Sequence, residues 1–133
     1  MNSNSNDERD LERIRAISLR FPAAEEGLLQ DRPLFHVRRR RFAIFNGDDS
    51  PTRPRWSGFG RSLHFATDLH DRDALGQDLR FSKSPHHGAQ GWMALDLNAD
   101  EVDWSEVAEL LETAYRQVAA RALVADLDAD LGT

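Results

Sequence analysis

The sequence predicts an α+β domain in which a mainly antiparallel sheet packs one face against an N-terminal and a C-terminal helix. Apolar residues recur at helical spacing near both ends of the chain, and short alternating segments lie between them. A chain of 133 residues is long enough to bury one core but not two. We therefore expect a disordered tail at residues 1–6, a single domain at 7–124 and a fraying acidic tail at 125–133.

Three helices are predicted in this domain. The first covers residues 7–20 and ends before Phe21-Pro22, because the residue before a proline is disfavoured in helical conformation. A short helix is predicted over 68–79. The last helix, over 103–123, is the most strongly patterned element, since its apolar residues form one continuous stripe that includes Val107, Leu111 and Val118.

Four strands are predicted between the helices, over residues 34–37, 42–45, 62–67 and 92–97. The first two are separated by four consecutive arginines, Arg38 to Arg41, and we expect a hairpin with Arg39 and Arg40 at its tip. Residues 23–33 are expected to be a connection. Residues 48–60 and 81–91 are rich in Gly, Pro and charge, which predicts loops.

Charge is distributed unevenly along the chain. The formal net charge is −6, which does not favour a protein that binds nucleic acid with its whole surface. Between Arg32 and Ser62, however, eight arginines face two acidic residues, so this segment carries +6 and the remainder −12. A concentrated patch can attract phosphate even when the whole molecule repels it. The alternative is a solvated turn whose arginines pair with the acidic helix faces.

Several segments in this order resemble the MmcQ/YjbR family of small bacterial proteins. They are Phe21-Pro22 with Glu25-Glu26, the stretch RPLFHVRRRRFAIF, the loop SPHHGAQGW and the terminal helix DWSEVAELLETAYRQVAARAL. The resemblance covers about residues 11–123. It implies a CyaY-like fold and a double-wing DNA-binding motif.

The arginine-rich segment and the resemblance together predict weak DNA binding without sequence preference. The candidate contacts are basic residues and one aromatic residue that could stack on a base, namely Arg38, Arg39, Arg40, Arg41, Arg53, Arg55, Trp56, Arg61 and Lys83. The alternative is an interaction module without nucleic-acid binding, whose arginines meet an acidic protein, a small ligand or a second copy of the chain. A third hypothesis is an enzyme or small-molecule binder near His64, His86 and His87.

Other classes of function find little support in the sequence. The absence of cysteine excludes disulfides, thiol nucleophiles, iron–sulfur clusters and cysteine-ligated zinc. No nucleophile elbow, phosphate-binding glycine loop or histidine pair at metal-ligand spacing is present. We therefore expect a protein that is not an enzyme and has no cofactor or metal. Without an apolar run of bilayer length or a signal peptide, we expect it to be cytoplasmic and not bound to a membrane.

Overall fold

The computed structural model describes residues 3–47, 60–85, 91–98 and 101–131. Four helices and six strands lie within these ranges. The helices are α1 (Ser3–Ser18), α2 (Leu69–Leu75), α3 (Trp104–Val118) and α4 (Arg121–Leu131). The strands are β1 (Ala24–Leu29), β2 (Arg32–Val37), β3 (Arg40–Asn46), β4 (Ser62–Phe65), β5 (Phe81–Lys83) and β6 (Met93–Asp96).

The strands form one antiparallel sheet in the order β1-β2-β3-β4-β6-β5. Helix α3 packs against β3, β4 and α1, so the terminal helices and the sheet share one core. The predicted α+β class is confirmed. No helix within the described ranges is both long enough and apolar enough to cross a bilayer.

The centre of the core is an aromatic cluster between the end of α1, β3 and α3. The rings of Phe21 and Tyr115 lie 4.9 Å apart, and the Phe42 ring meets Tyr115 edge-on at 5.7 Å. The Tyr115 hydroxyl donates a 2.7 Å hydrogen bond to the carbonyl of Pro22. The cluster therefore joins α3 to the chain segment that leads into β1.

Several predicted boundaries are wrong. Residues expected to form a connection make up β1 and the start of β2, and the expected loop at 81–91 begins with β5. Strand β1 is an edge strand, and its sequence shows no apolar alternation that would predict a strand. It forms because it pairs with β2 along its full length.

The C-terminal end also differs from the prediction. The backbone of Ala119 is extended and ends α3, and the residues expected to fray belong to α4. Two observations explain why α4 forms. Leu123 and Leu127 are buried against the core, and Arg116 binds Asp128 at 2.7 Å. The first helix likewise begins at Ser3, within the expected tail.

Candidate nucleic-acid interface

The arginine run occupies the turn between β2 and β3. Val37 pairs with Arg40, so the loop consists of Arg38 and Arg39, and the predicted tip at Arg39 and Arg40 is wrong by one residue. Both loop residues have positive φ, 48° for Arg38 and 71° for Arg39. Positive φ at both positions is the pattern of a type I′ turn, which matches the twist of the flanking strands and favours Asn-Gly.

All four arginines of the run are exposed. Among the described residues, none of their guanidinium groups forms an ion pair with a carboxylate. Arg40 Nη1 lies 3.5 Å from the carbonyl oxygen of Val118 at the end of α3. We call the exposed surface formed by Arg38 to Arg41 the arginine tip.

Three arginines elsewhere in the chain are paired with carboxylates. Arg15 binds both carboxylate oxygens of Glu26 at 2.7 and 2.9 Å, and Arg80 bridges Asp78 and Glu106. Arg116 binds Glu112 and Asp128. Carboxylates therefore neutralise Arg15, Arg80 and Arg116, whereas within the described structure the arginines of the tip form no such ion pair.

The charge of Arg38 acts on Tyr115 of the aromatic cluster. Burial raises the pKa of Tyr115, and the charge of Asp126 acts in the same direction, whereas Arg38 lies close enough to oppose both.

Arg61, another predicted contact residue, lies away from the arginine tip. It precedes Ser62, whose partner Asn46 is at the opposite end of β3 from Arg40, about 20 Å along the strand. Arg61 Nε binds Asp10 Oδ2 at 2.7 Å, and the two side chains are 13% and 16% exposed. Burial raises the pKa of Asp10 although Arg61 opposes the shift. Arg61 therefore joins α1 to the sheet and is not available to phosphate.

Of the remaining predicted contacts, Lys83 lies within the described residues. Lys83 is exposed on β5, the strand at the far edge of the sheet, three strands from β3. Arg53, Arg55 and Trp56 lie outside the described residues. His86 and His87 also lie outside them.

The structure reveals a buried polar chain that the sequence did not predict. His64 is fully buried, with Nε2 2.8 Å from Ser62 Oγ and Nδ1 2.7 Å from Ser84 Oγ. Asn46 Nδ2 lies 3.4 Å from Ser62 Oγ and donates to the carbonyl of Gly60 at 2.8 Å. Both ring nitrogens of His64 thus have a serine hydroxyl partner, one in β4 and one directly after β5.

The chain of hydrogen bonds continues to the first hairpin. Arg32 is fully buried, and its Nε donates to Asn46 Oδ1 at 2.8 Å. Its Nη1 donates to Gln30 Oε1 at 3.0 Å. Polar residues in adjacent strands could have signalled this chain, but only with knowledge of the register that places Asn46 beside Ser62.

Comparisons with known proteins agree with this architecture. The family model described as YjbR matches residues 19–117, well over half of the 133 residues. The chain belongs to the YjbR family. Among solved structures, it is similar to the crystal structure of the Deinococcus radiodurans protein DR2400, described with the domain DUF419, at a TM-score of 0.67 and 18% identity. The similarity covers 89% of this chain and 87% of that one, and at this identity it shows the fold. None of the curated proteins compared with the chain matches it.

The YjbR match includes the arginine tip, His64 with both of its serine partners and nearly all of α3. Helices α1 and α4 lie outside the matched residues. Family membership confirms the resemblance predicted from the sequence.

Proposed function

We propose that this YjbR-family chain binds nucleic acid through the arginine tip, weakly, without sequence preference and without catalysis. Guanidinium groups form bidentate hydrogen bonds with phosphate oxygens, and such contacts supply affinity but no sequence information. Because the whole chain carries a net charge of −6, attraction is expected only when the tip itself faces the phosphate backbone.

One observation carries this proposal: two consecutive arginines occupy left-handed conformations at an exposed turn with no ion pair to any described residue. Left-handed backbone costs a residue with a Cβ about 1–2 kcal/mol, whereas Gly and Asn adopt it more readily. When an exposed residue keeps a strained backbone conformation and its side chain forms no stabilising contact, we infer that the side chain has a function.

The turn offers a variant that separates charge from folding. Arg38→Asn with Arg39→Gly removes two charges and introduces the residues that this turn geometry favours, so the hairpin is retained. The matched control is Arg9→Gln with Arg72→Gln, which removes the same charge from α1 and α2.

We would measure fluorescence anisotropy of a labelled DNA duplex at about 50 and about 200 mM salt. With about four phosphates neutralised, the affinity of the unaltered chain should fall about 100-fold over this range. The turn variant should bind less tightly and reduce the logarithmic salt slope by about two, whereas the control should retain the slope. Equal losses in the turn variant and the control would refute the proposal.

The alternative is an interaction module in which the same arginines meet an acidic protein or a second copy of the chain. It predicts no binding of the duplex at either salt concentration. Instead, sedimentation at low salt would show association that depends on protein concentration and is lost in the turn variant.

A further inference from the structure

A second candidate site is lined by acidic rather than basic residues and lies in a groove between α2 and α3. The groove encloses about 250 Å³ beside the end of β4. Phe65, Leu75 and Leu110 contribute apolar surface to it. Phe65 is only 1% exposed and belongs to the core, so this part of the wall is fixed by packing.

Three carboxylates line the same groove: Asp71 from α2, and Glu106 and Glu109 from α3. Arg80 already binds Glu106, with Nη1 2.8 Å from Oε1 and Nη2 3.2 Å from Oε2. Asp71 and Glu109 form no ion pair with any described residue. Among the described residues that line the groove, none is basic. Two negative charges therefore border apolar surface without compensation.

This combination of charge and shape selects one class of ligand. Within the described part of the chain, no group of three or more His, Asp and Glu side chains is arranged to hold a metal ion. A cation that also carries apolar surface could fill the groove and meet both carboxylates. The volume is below the ~300–1,000 Å³ of sites for drug-sized ligands, so the occupant must be small.

We propose that the α2–α3 groove binds a small organic cation, a protonated amine attached to a compact apolar group. The ammonium group meets Asp71 and Glu109, and the apolar group lies against Phe65, Leu75 and Leu110. The attraction is charge-assisted, and burial of the apolar group adds to it. This proposal is independent of the arginine tip.

The probe is 2-phenylethylammonium, compared with 2-phenylethanol, which has a similar shape and no charge. Binding is followed by titration of the full chain using NMR amide shifts and isothermal calorimetry. We expect the ammonium compound to bind at least about tenfold more tightly than the alcohol, because a hydrogen bond to a charged group contributes more than a neutral one. The shifted amides should lie in α2, α3 and the end of β4.

The test variant is Asp71→Asn with Glu109→Gln, and the control is Glu25→Gln with Asp126→Asn. Both pairs remove two negative charges, but Glu25 and Asp126 are exposed residues of β1 and α4 that do not line the groove. We expect the test variant to lose at least about tenfold in affinity for the ammonium probe and to melt no lower than the unaltered chain, since a repulsion is removed. The control should bind normally. Equal affinity for the amine and the alcohol, equal losses in both variants or no binding of the amine at all would each overturn the proposal.

Discussion

The two turns that flank β2 have the same backbone pattern but different surroundings. Gln30 and Asp31 connect β1 to β2 with φ values of 51° and 63°, and Arg38 and Arg39 connect β2 to β3 with 48° and 71°. At the first turn, the Gln30 side chain accepts a hydrogen bond from buried Arg32. At the second turn, the side chains are exposed and have no ion pair within the described structure.

The comparison shows that the same conformational cost can be compensated in one place and retained in another. The Gln30 turn gains a contact to the buried polar chain, which continues through Asn46 to His64. Within the described structure, the side chains of Arg38 and Arg39 form no hydrogen bond or ion pair that would favour arginine at these two positions. Burial and hydrogen bonding, rather than the turn type, distinguish the structural arginine from the candidate functional ones.

The largest loss of stability is expected from Arg32→Ala, which replaces the buried arginine of the comparison. The substitution removes a fully buried side chain and leaves Asn46 Oδ1 and Gln30 Oε1 without this donor. The cavity and the lost hydrogen bonds should lower the free energy of unfolding by about 3 kcal/mol. Urea denaturation followed by circular dichroism measures this change.

The control is Arg41→Ala at the exposed end of the same hairpin. Because Arg41 is exposed and has no ion pair within the described structure, its removal should change stability by no more than about 0.5 kcal/mol. Similar destabilisation by the two substitutions would show that burial does not separate the two classes of arginine.

Local patterns predicted the helix that packs on the sheet but not the edges of the fold. The stripe through Val107 and Leu111 identified α3, because its burial follows helical spacing. Strand β1 has the sequence AEEGLL, which carries no alternation, and it forms because β2 supplies partners along its full length. The end of α3 at Ala119 has no Gly or Pro to mark it, so the break before α4 was also missed.

The candidate site was predictable where it depends on adjacent residues. Arg38 to Arg41 are consecutive, so their clustering is visible without the fold. The carboxylate that binds Arg61 belongs to Asp10, 51 residues away, and one of the two partners of His64 is Ser84, 20 residues away. These pairs depend on sheet register and helix packing, which no local pattern encodes. For this reason neither the partner of Arg61 nor the role of His64 was predicted.

An intermediate effect on stability is expected from two variants, each of which replaces the two residues of one turn by Asn-Gly. At Arg38 and Arg39 the exchange relieves left-handed strain and removes no ion pair seen in the described structure, so it should stabilise the chain by about 1 kcal/mol. At Gln30 and Asp31 the same relief is offset by loss of the hydrogen bond from Arg32, worth about 1 kcal/mol, and of the interaction that Asp31 forms, so the exchange should not stabilise the chain. Thermal unfolding compares the two variants directly. Equal stabilisation by both exchanges would contradict the assigned role of Gln30.

The smallest effect concerns Arg80, an arginine that is paired but only partly buried. Hydrogen bonds from the Arg80 side chain and backbone lower the pKa of Asp78 to about 2, from an ordinary value of 3.8. A carboxyl whose pKa is lowered by folding stabilises the native state above pH ~4 and loses that contribution as the pH falls through about 2.

An NMR titration of the Asp78 carboxyl carbon should give a midpoint near 2 in the unaltered chain and a higher one, closer to 3.8, in Arg80→Gln. Arg39→Gln should leave the Asp78 midpoint unchanged, because its guanidinium pairs with no carboxylate of the described structure. A midpoint that stays near 2 without the Arg80 guanidinium would show that the backbone amide alone holds the carboxylate, and Arg80 would then resemble the arginines of the tip more than Arg32.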